Sequence, residues 1–228
     1  IRMLAEYLGE KDFRDGLRFY LKKHAYGNAA TTDLWAAFEE ISGKPVRSMM
    51  QNWTRKPGYP FVRLSEKGDN LQLTQQRYFS SSVAARTEKD TTVWSIPLSV
   101  STEKTKKPSA YFMDKKSLHI PKLQKDEWVK LNTGETSVIR VDYPSRYLER
   151  LQQPISEKKL DVIDRFGIIR DAFDLSQTGY LPTSEALALV SHYMQEDNYI
   201  VWSEIASQLG TIKNLISGRP YFEQFTLF

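Results

Sequence analysis

The 228-residue chain contains no cysteine. Disulfides and thiol chemistry are therefore excluded, and the composition is consistent with a reducing compartment such as the cytoplasm. Histidine is scarce: His24, His119 and His192 are the full set, and no two stand three or four positions apart. A zinc site needs three or four converging Cys, His or carboxylate ligands, so the chain is not expected to hold a metal by itself. No run approaches the roughly 20 apolar residues of a membrane span, and no secretory leader pattern is present. There is no G-x-S-x-G elbow and no G-x-x-x-x-G-K-S/T phosphate loop. Excess charge is small, at net +4, and its densest run is Lys104, Lys106 and Lys107 beside Pro108, which reads as a solvated hairpin tip. Nucleic-acid binders concentrate Lys and Arg on one face or element, so neither nucleic acid nor membrane is expected as a partner.

What is present divides by periodicity into three zones. Residues 1–57 are helical. Ile1, Leu4 and Leu8 share a stripe, with Gly9 at the position that ends a helix. A second helix carries Phe13, Leu17, Tyr20 and Leu21. Thr31 or Thr32 is expected to cap a third, with Leu34, Phe38 and Ile41 inward, and Pro45 suits the first turn of a fourth that buries Val46, Met49 or Met50, and Trp53. Residues 58–148 switch to period two. Seven short strands are expected, over 61–64, 71–79, 94–100, 110–113, 117–120, 128–131 and 138–143, with 67–70 as a hairpin turn. Pro97 marks an edge strand or a bulge, and the polar stretch 80–92 reads as a mobile loop. From 149 the helical period returns. Residues 155–157 read as a cap leading into a helix with Leu160, Ile163, Phe166, Ile169 and Phe173. Later helices are expected to bury Leu187, Val190 and Met194, then Trp202, Ile205, Leu209 and Ile212. The fold class is therefore α+β and multidomain: a helical segment (1–57), an antiparallel β-sandwich (58–148), and antiparallel helices of an α-solenoid type (149–228).

Both ends fall inside apolar patterns, with the opening helix uncapped and the last eight residues, YFEQFTLF, dense in aromatics. That predicts a slice of a longer polypeptide. Within it no active site is found. The serines at 80–82 lie in the polar stretch. The acid pairs Glu39/Glu40, Asp126/Glu127 and Glu196/Asp197 are sequence neighbours that do not face one another on a helix. Asp171 and Asp174 could, but both lie opposite the apolar stripe and read as a solvated face. Trp35, Trp53, Trp94, Trp128 and Trp202 each fall on a face expected to be buried, as core and not as base-stacking platforms.

Several stretches, taken in order, are similar to one family. The segment from IRMLAEYLGEKDF to WTRKPGYPFV resembles the end of the catalytic domain of the M1, gluzincin-type zinc aminopeptidases. LTQQRYF, WSIPLS, WVKLN and GETSVIRVDYP resemble the small sandwich domain that follows, and DRFGIIRDAFDLSQTGYL the first helices of the superhelical C-terminal domain. The most specific set is WTRKPGYP, then KLN with RVDY, then DR-x-G-x-x-x-DAF-x-L. One departure is Ser137-Val138-Ile139, where the family often has glycine before the aromatic. The resemblance implies a parent enzyme that hydrolyses N-terminal residues from peptides, with zinc held by an H-E-x-x-H helix and a later Glu, a G-x-M-E-N loop for the substrate's amino terminus, and a Tyr just before the first helix. None of those motifs occurs in residues 1–228. No catalytic, cofactor-binding or metal residue is therefore assigned here, and Tyr7 and Tyr26 do not take that role. The slice is expected to be inactive alone and to act as a spacer, its partners being peptide substrates and the remaining domains of the parent. A non-catalytic relative with the same architecture, or a stand-alone interaction module, are the alternatives.

Overall fold

The computed structural model describes every residue except Asp69, Glu88, Lys122, Lys125 and Phe228, and the side chain of Arg86. Four helices come first: α1 (Arg2–Leu8), α2 (Glu10–Lys23), α3 (Thr31–Ser42) and α4 (Val46–Arg55). Gly9 joins α1 to α2 at φ 85, a left-handed value that glycine adopts without a Cβ penalty. The start of α3 is fixed by Asp33, not by a threonine: its Oδ2 accepts the Ala30 N–H at 2.8 Å. Met3, Leu4, Leu8, Trp35, Phe38, Val46, Met49 and Met50 form one core. Leu17, Leu21 and Ile41 stay exposed among the described residues.

The seven strands expected from the sequence are all present: β1 (Pro60–Lys67), β2 (Asn70–Arg77), β3 (Ile96–Thr102), β4 (Ser109–Met113), β5 (Ser117–Pro121), β6 (Val129–Leu131) and β7 (Arg140–Asp142). They form two sheets, ordered β5-β2-β1-β7 and β4-β3-β6. Pairing is antiparallel except between β1 and β7, which run parallel. The β1–β2 turn pairs Lys67 with Asn70, and its Asp69 lies outside the described residues. Trp94, Ile96, Leu98 and Val100 are buried as their alternation requires. β3 is central and not an edge strand, yet Pro97 is tolerated: β6 pairs with β3 only over Val100–Thr102. The Pro97 carbonyl is free to accept a hydrogen bond from the Ser137 hydroxyl, so the missing N–H on that side breaks no ladder bond. The same contact accommodates the Ser137 departure, since the buried hydroxyl has an acceptor.

Part of the polar stretch 80–92 is a short helix, α5 (Ser82–Thr87), and not a loop throughout. Its alanines favour helix, and Ser81 Oγ accepts the Ala84 N–H at 3.4 Å.

The remaining helices are α6 (Ser145–Ser156), α7 (Val162–Gln177), α8 (Thr183–Val190), α9 (Tyr199–Leu215) and α10 (Phe222–Thr226). Residues 155–157, expected to open a helix, close α6 instead. Pro154 sits in its last turn, where the misleading signal arose. Two expected core residues face outward: Met194 is 70% exposed and Trp202 37%, with Val201 and Ile205 taking the inner face of α9. Phe228 of the aromatic C-terminal run lies outside the described residues.

The sandwich and these helices share one continuous core that runs from Phe61 and Trp94 through Ile139 and Tyr147 to Phe173 and Ile205. Helices α1 to α4 have a separate core, and half-buried Trp53 packs against both. Its Nε1 donates to the Ser95 carbonyl at 2.6 Å, beside Asn52, whose side chain bonds Val93 O (3.0 Å) and Ser95 N (3.1 Å).

Candidate functional site

The feature that stands out is a buried ionic cluster where the sandwich meets α7. β6 delivers Lys130, only 1% exposed. Its Nζ donates to the carbonyls of Leu131 (2.7 Å) and Asn132 (3.3 Å) and to Glu135 Oε1 (2.7 Å), and lies 3.5 Å from Asp164 Oδ1. The turn after β6 is tight. Asn132, Gly134 and Glu135 all have positive φ, at 56, 76 and 50, and a non-glycine residue holds such a value only when its surroundings fix it. Here they do. Asn132 Oδ1 accepts the Ser137 N–H at 2.9 Å, the Gly134 N–H donates to Asp164 Oδ1 at 2.7 Å, and Arg170 Nη2 donates to Glu135 Oε2 at 2.7 Å.

From α7 the cluster continues toward β7. Asp171, 2% exposed, accepts from Arg170 Nη2 (2.7 Å) and from the Val141 N–H (2.8 Å), and Arg140 Nε stands 3.5 Å away. Arg140 Nε also donates to Asp174 Oδ2 at 2.5 Å and stacks over Tyr59 at 5.2 Å. The expectation of a solvated face for Asp171 and Asp174 is corrected here: Asp171 is buried and Asp174 is half-buried and paired. α7 has core on nearly every side, so the side opposite the apolar stripe is not water. Glycine is required at 167, because a Cβ there would come within 2.1 Å of Glu135 Oε1.

The electrostatics follow from the composition of the cluster. Lys130, Arg140 and Arg170 face Glu135, Asp164, Asp171 and Asp174, so carboxylates outnumber cations. Desolvation raises the Asp171 carboxyl to about 6 despite Arg170 and Arg140, and raises Asp164 as well, despite Lys130. Burial works against the Lys130 ammonium, but Glu135, Tyr143 and Asp164 outweigh it and hold Lys130 charged. All of these groups are engaged in bonds and none presents a free nucleophile. The cluster joins β6 and β7 to α7.

A second buried pair ties α7 to the segment after α8. Arg165 Nε and Nη2 grip Glu196 at 2.6 and 2.9 Å, and Arg165 Nη1 donates to Leu160 O at 2.5 Å. The Arg165 hydrogen bonds hold the Glu196 carboxyl down at about 2, against its burial. A lowered carboxylate contributes stability above its unfolded value and loses it as pH falls through the folded one. Glu196 therefore contributes on the order of 3 kcal/mol at pH 7, lost between about pH 4.5 and 2. Denaturant unfolding followed across that window should show a shallower acid loss in Glu196→Gln than in the parent sequence. Equal slopes would contradict the assignment.

The histidines lie apart: His24 at the C-terminus of α2, His119 on β5 and His192 after α8. Among the described residues no group of three or more His, Cys, Asp or Glu side chains could hold a metal ion, and no helix is long and apolar enough to cross a membrane. Tyr7 is half-buried and stacked on Phe112, and Tyr26 is fully exposed.

Part of the cluster comes from the motifs singled out in the sequence: Lys130 and Asn132 of KLN, Arg140 and Tyr143 of RVDY, and Asp164, Gly167 and Asp171 of DR-x-G-x-x-x-DAF. Residues 1–53 match the Peptidase family M1 domain and residues 128–228 the ERAP1-like C-terminal domain. The two matches together support a fragment of an M1 aminopeptidase. The chain is 35% identical to Aminopeptidase 2 of Candida albicans over 93% of its length and 23% of the relative's. Identity is 34% to Tricorn protease-interacting factor F2 of Thermoplasma acidophilum, over 92% of the chain and 25% of the relative. With Puromycin-sensitive aminopeptidase of Caenorhabditis elegans it is 36%, over 90% and 22%. The chain thus spans about a quarter of the length of the M1 relatives it matches.

Sequence reasoning missed the ionic role of the M1 motifs. A signal existed: Asp164-Arg165 and Arg170-Asp171 place opposite charges on a helix whose apolar residues, Ile163, Phe166, Ile168, Ile169, Ala172 and Phe173, leave no single polar face.

Proposed function

We propose that this chain belongs to a cytoplasmic zinc aminopeptidase that removes N-terminal residues from peptides, with the metal and the catalytic groups supplied by residues outside 1–228. Within that enzyme residues 1–57 complete the catalytic domain, 58–148 form a sandwich spacer, and 149–228 begin the C-terminal helical domain. The reading rests on the M1 relatives and on the absence of the zinc motifs from the sequence. The slice itself performs no hydrolysis. Its role is geometric, and one observation carries it: the sandwich and α7 share a core and are cross-linked by the buried Lys130, Glu135, Asp164 and Asp171 cluster. A joint of that kind fixes the angle between the spacer and the helices, and so the space left for a peptide between the helices and the catalytic domain.

The test uses the full-length enzyme with Arg140→Met, which unlinks β7 from Asp171 and Asp174. The expected result is a change in the ratio of turnover on long peptides to turnover on single-residue amides, with the amide rate retained. An unchanged ratio, with hydrogen exchange confirming that the joint has loosened, would remove the spacer role.

A further inference from the structure

A groove of about 420 Å3 lies between α1 and the outer face of the three-stranded sheet. Its size falls in the range of small-molecule sites, roughly 300–1,000 Å3. The floor is flat for a reason visible in the register: Pro97 pairs with Phe112 and Ser99 with Ala110, so two small side chains sit side by side on the same sheet face. One end is aromatic. Tyr7 of α1 stacks on Phe112 of β4, with centroids 5.1 Å apart and planes 25° from parallel. Tyr111 and Pro108 extend that apolar lining.

The charged residues of the groove are Lys44, Lys107 and Glu6, so cations outnumber anions. Lys44 is held in place: its Nζ donates to Tyr7 O at 2.5 Å and Leu8 O at 3.5 Å and stands 4.8 Å above the Tyr7 ring. An ammonium has three N–H donors, which leaves one for a ligand. Lys107 is exposed in the turn before β4 and lines the groove.

We propose that this groove binds a small molecule made of a flat aromatic ring bearing a carboxylate. The ring lies on the Ser99–Ala110 floor against the Tyr7–Phe112 pair, where offset stacking is favourable, and the carboxylate meets Lys107 and the remaining donor of Lys44. Because the groove is walled by one helix of the first core and two strands of the second, its ligand bridges the two bodies. The site stands whether or not the peptidase reading does.

The experiment titrates 2-naphthoate into the full chain by calorimetry, with 2-naphthalenemethanol and 2-naphthylmethylamine as neutral and cationic counterparts. The expected result is saturable binding of the acid, tighter than the alcohol by about fivefold, the size of one exposed ion pair, and weakest binding by the amine. Ala110→Trp, which fills the floor from an exposed strand position, should abolish binding. Lys107→Glu, a surface change that leaves folding intact, should bring the acid down to the level of the alcohol or below. Equal affinity for the three probes, binding that survives Ala110→Trp in a folded protein, or no binding of any probe because other polypeptide covers the groove would each overturn the proposal.

Discussion

Lys130→Met is expected to destabilise the protein by about 3–5 kcal/mol at pH 7, the cost of leaving one side of a buried ion pair without its partner. Methionine matches the stem of lysine, so packing is conserved and the loss is electrostatic. The ammonium holds two turn carbonyls and lies against Glu135 and Asp164. Without it two buried carboxylates face each other across a turn already fixed at positive φ. The sign of the pH dependence follows. Burial already raises the Asp164 carboxyl and Lys130 opposes that rise, so without the ammonium Asp164 rises further above its unfolded value, the native state binds more protons than the unfolded one, and the variant recovers stability as pH falls from 7 toward 5. Urea unfolding at the two pH values checks this. A deficit below about 1 kcal/mol, which is typical of an exposed pair, or a deficit that does not shrink at the lower pH, would contradict it.

Gly167→Ala carries the second large effect. In an exposed helix interior this substitution stabilises by up to about 1 kcal/mol. Here the new Cβ would stand 2.1 Å from Glu135 Oε1 and 2.2 Å from its Cδ. The Glu135 side chain must withdraw, and its bonds to Lys130 and Arg170 go with it. A loss of about 3 kcal/mol is expected from steric displacement and the broken pairs together. The decisive comparison is the same substitution in a Glu135→Ala background. With the carboxylate gone, Gly167→Ala should be neutral or stabilising, which gives a coupling above about 2 kcal/mol between the two sites. Additive effects would mean that glycine is needed at 167 for some reason other than Glu135.

The legible and illegible parts of this chain separate by where the polar residues go. The strands could be read because their outward positions do meet water or the sandwich surface: Trp94, Ile96, Leu98 and Val100 alternate in sequence and are buried in the structure. α1 and α4 could be read for the same reason. α7 could not. Periodicity arguments take polar residues as a mark of solvent, and Asp164, Arg165 and Asp171 are polar residues turned into the protein because each has a partner supplied from a distant stretch: Lys130 and Gly134, Glu196, and Val141 with Arg140. Those partners lie 30 or more residues away, beyond any local pattern. Met194 and Trp202 failed in the opposite direction, since apolar residues at helical spacing were taken as inward. Trp202 instead lies at the surface, with its indole N–H on the Glu196 carbonyl at 2.8 Å. Pro154 shows a third limit. A proline normally ends a helix, but in the last turn of α6 it is accommodated, and its carbonyl accepts the Lys159 N–H at 2.9 Å. The local signal for the candidate site was the pairing of opposite charges along α7, and Lys130, Arg140, Asp164 and Asp171 of the site belong to the motifs that carried the family resemblance. In this chain those charges lock one helix to one sheet.

The sandwich and the helices from α6 onward are expected to open as one body, because a buried ionic joint and a common core bind them. Native-state hydrogen exchange tests it most directly. The amides of Val62 and Leu64 in β1 and of Ile169 and Phe173 in α7 should exchange with a single shared opening free energy, and Lys130→Met should lower that value by the same amount at all four positions. If the α7 amides lose protection in the variant while the β1 amides keep theirs, the two parts are separate bodies and the account is wrong.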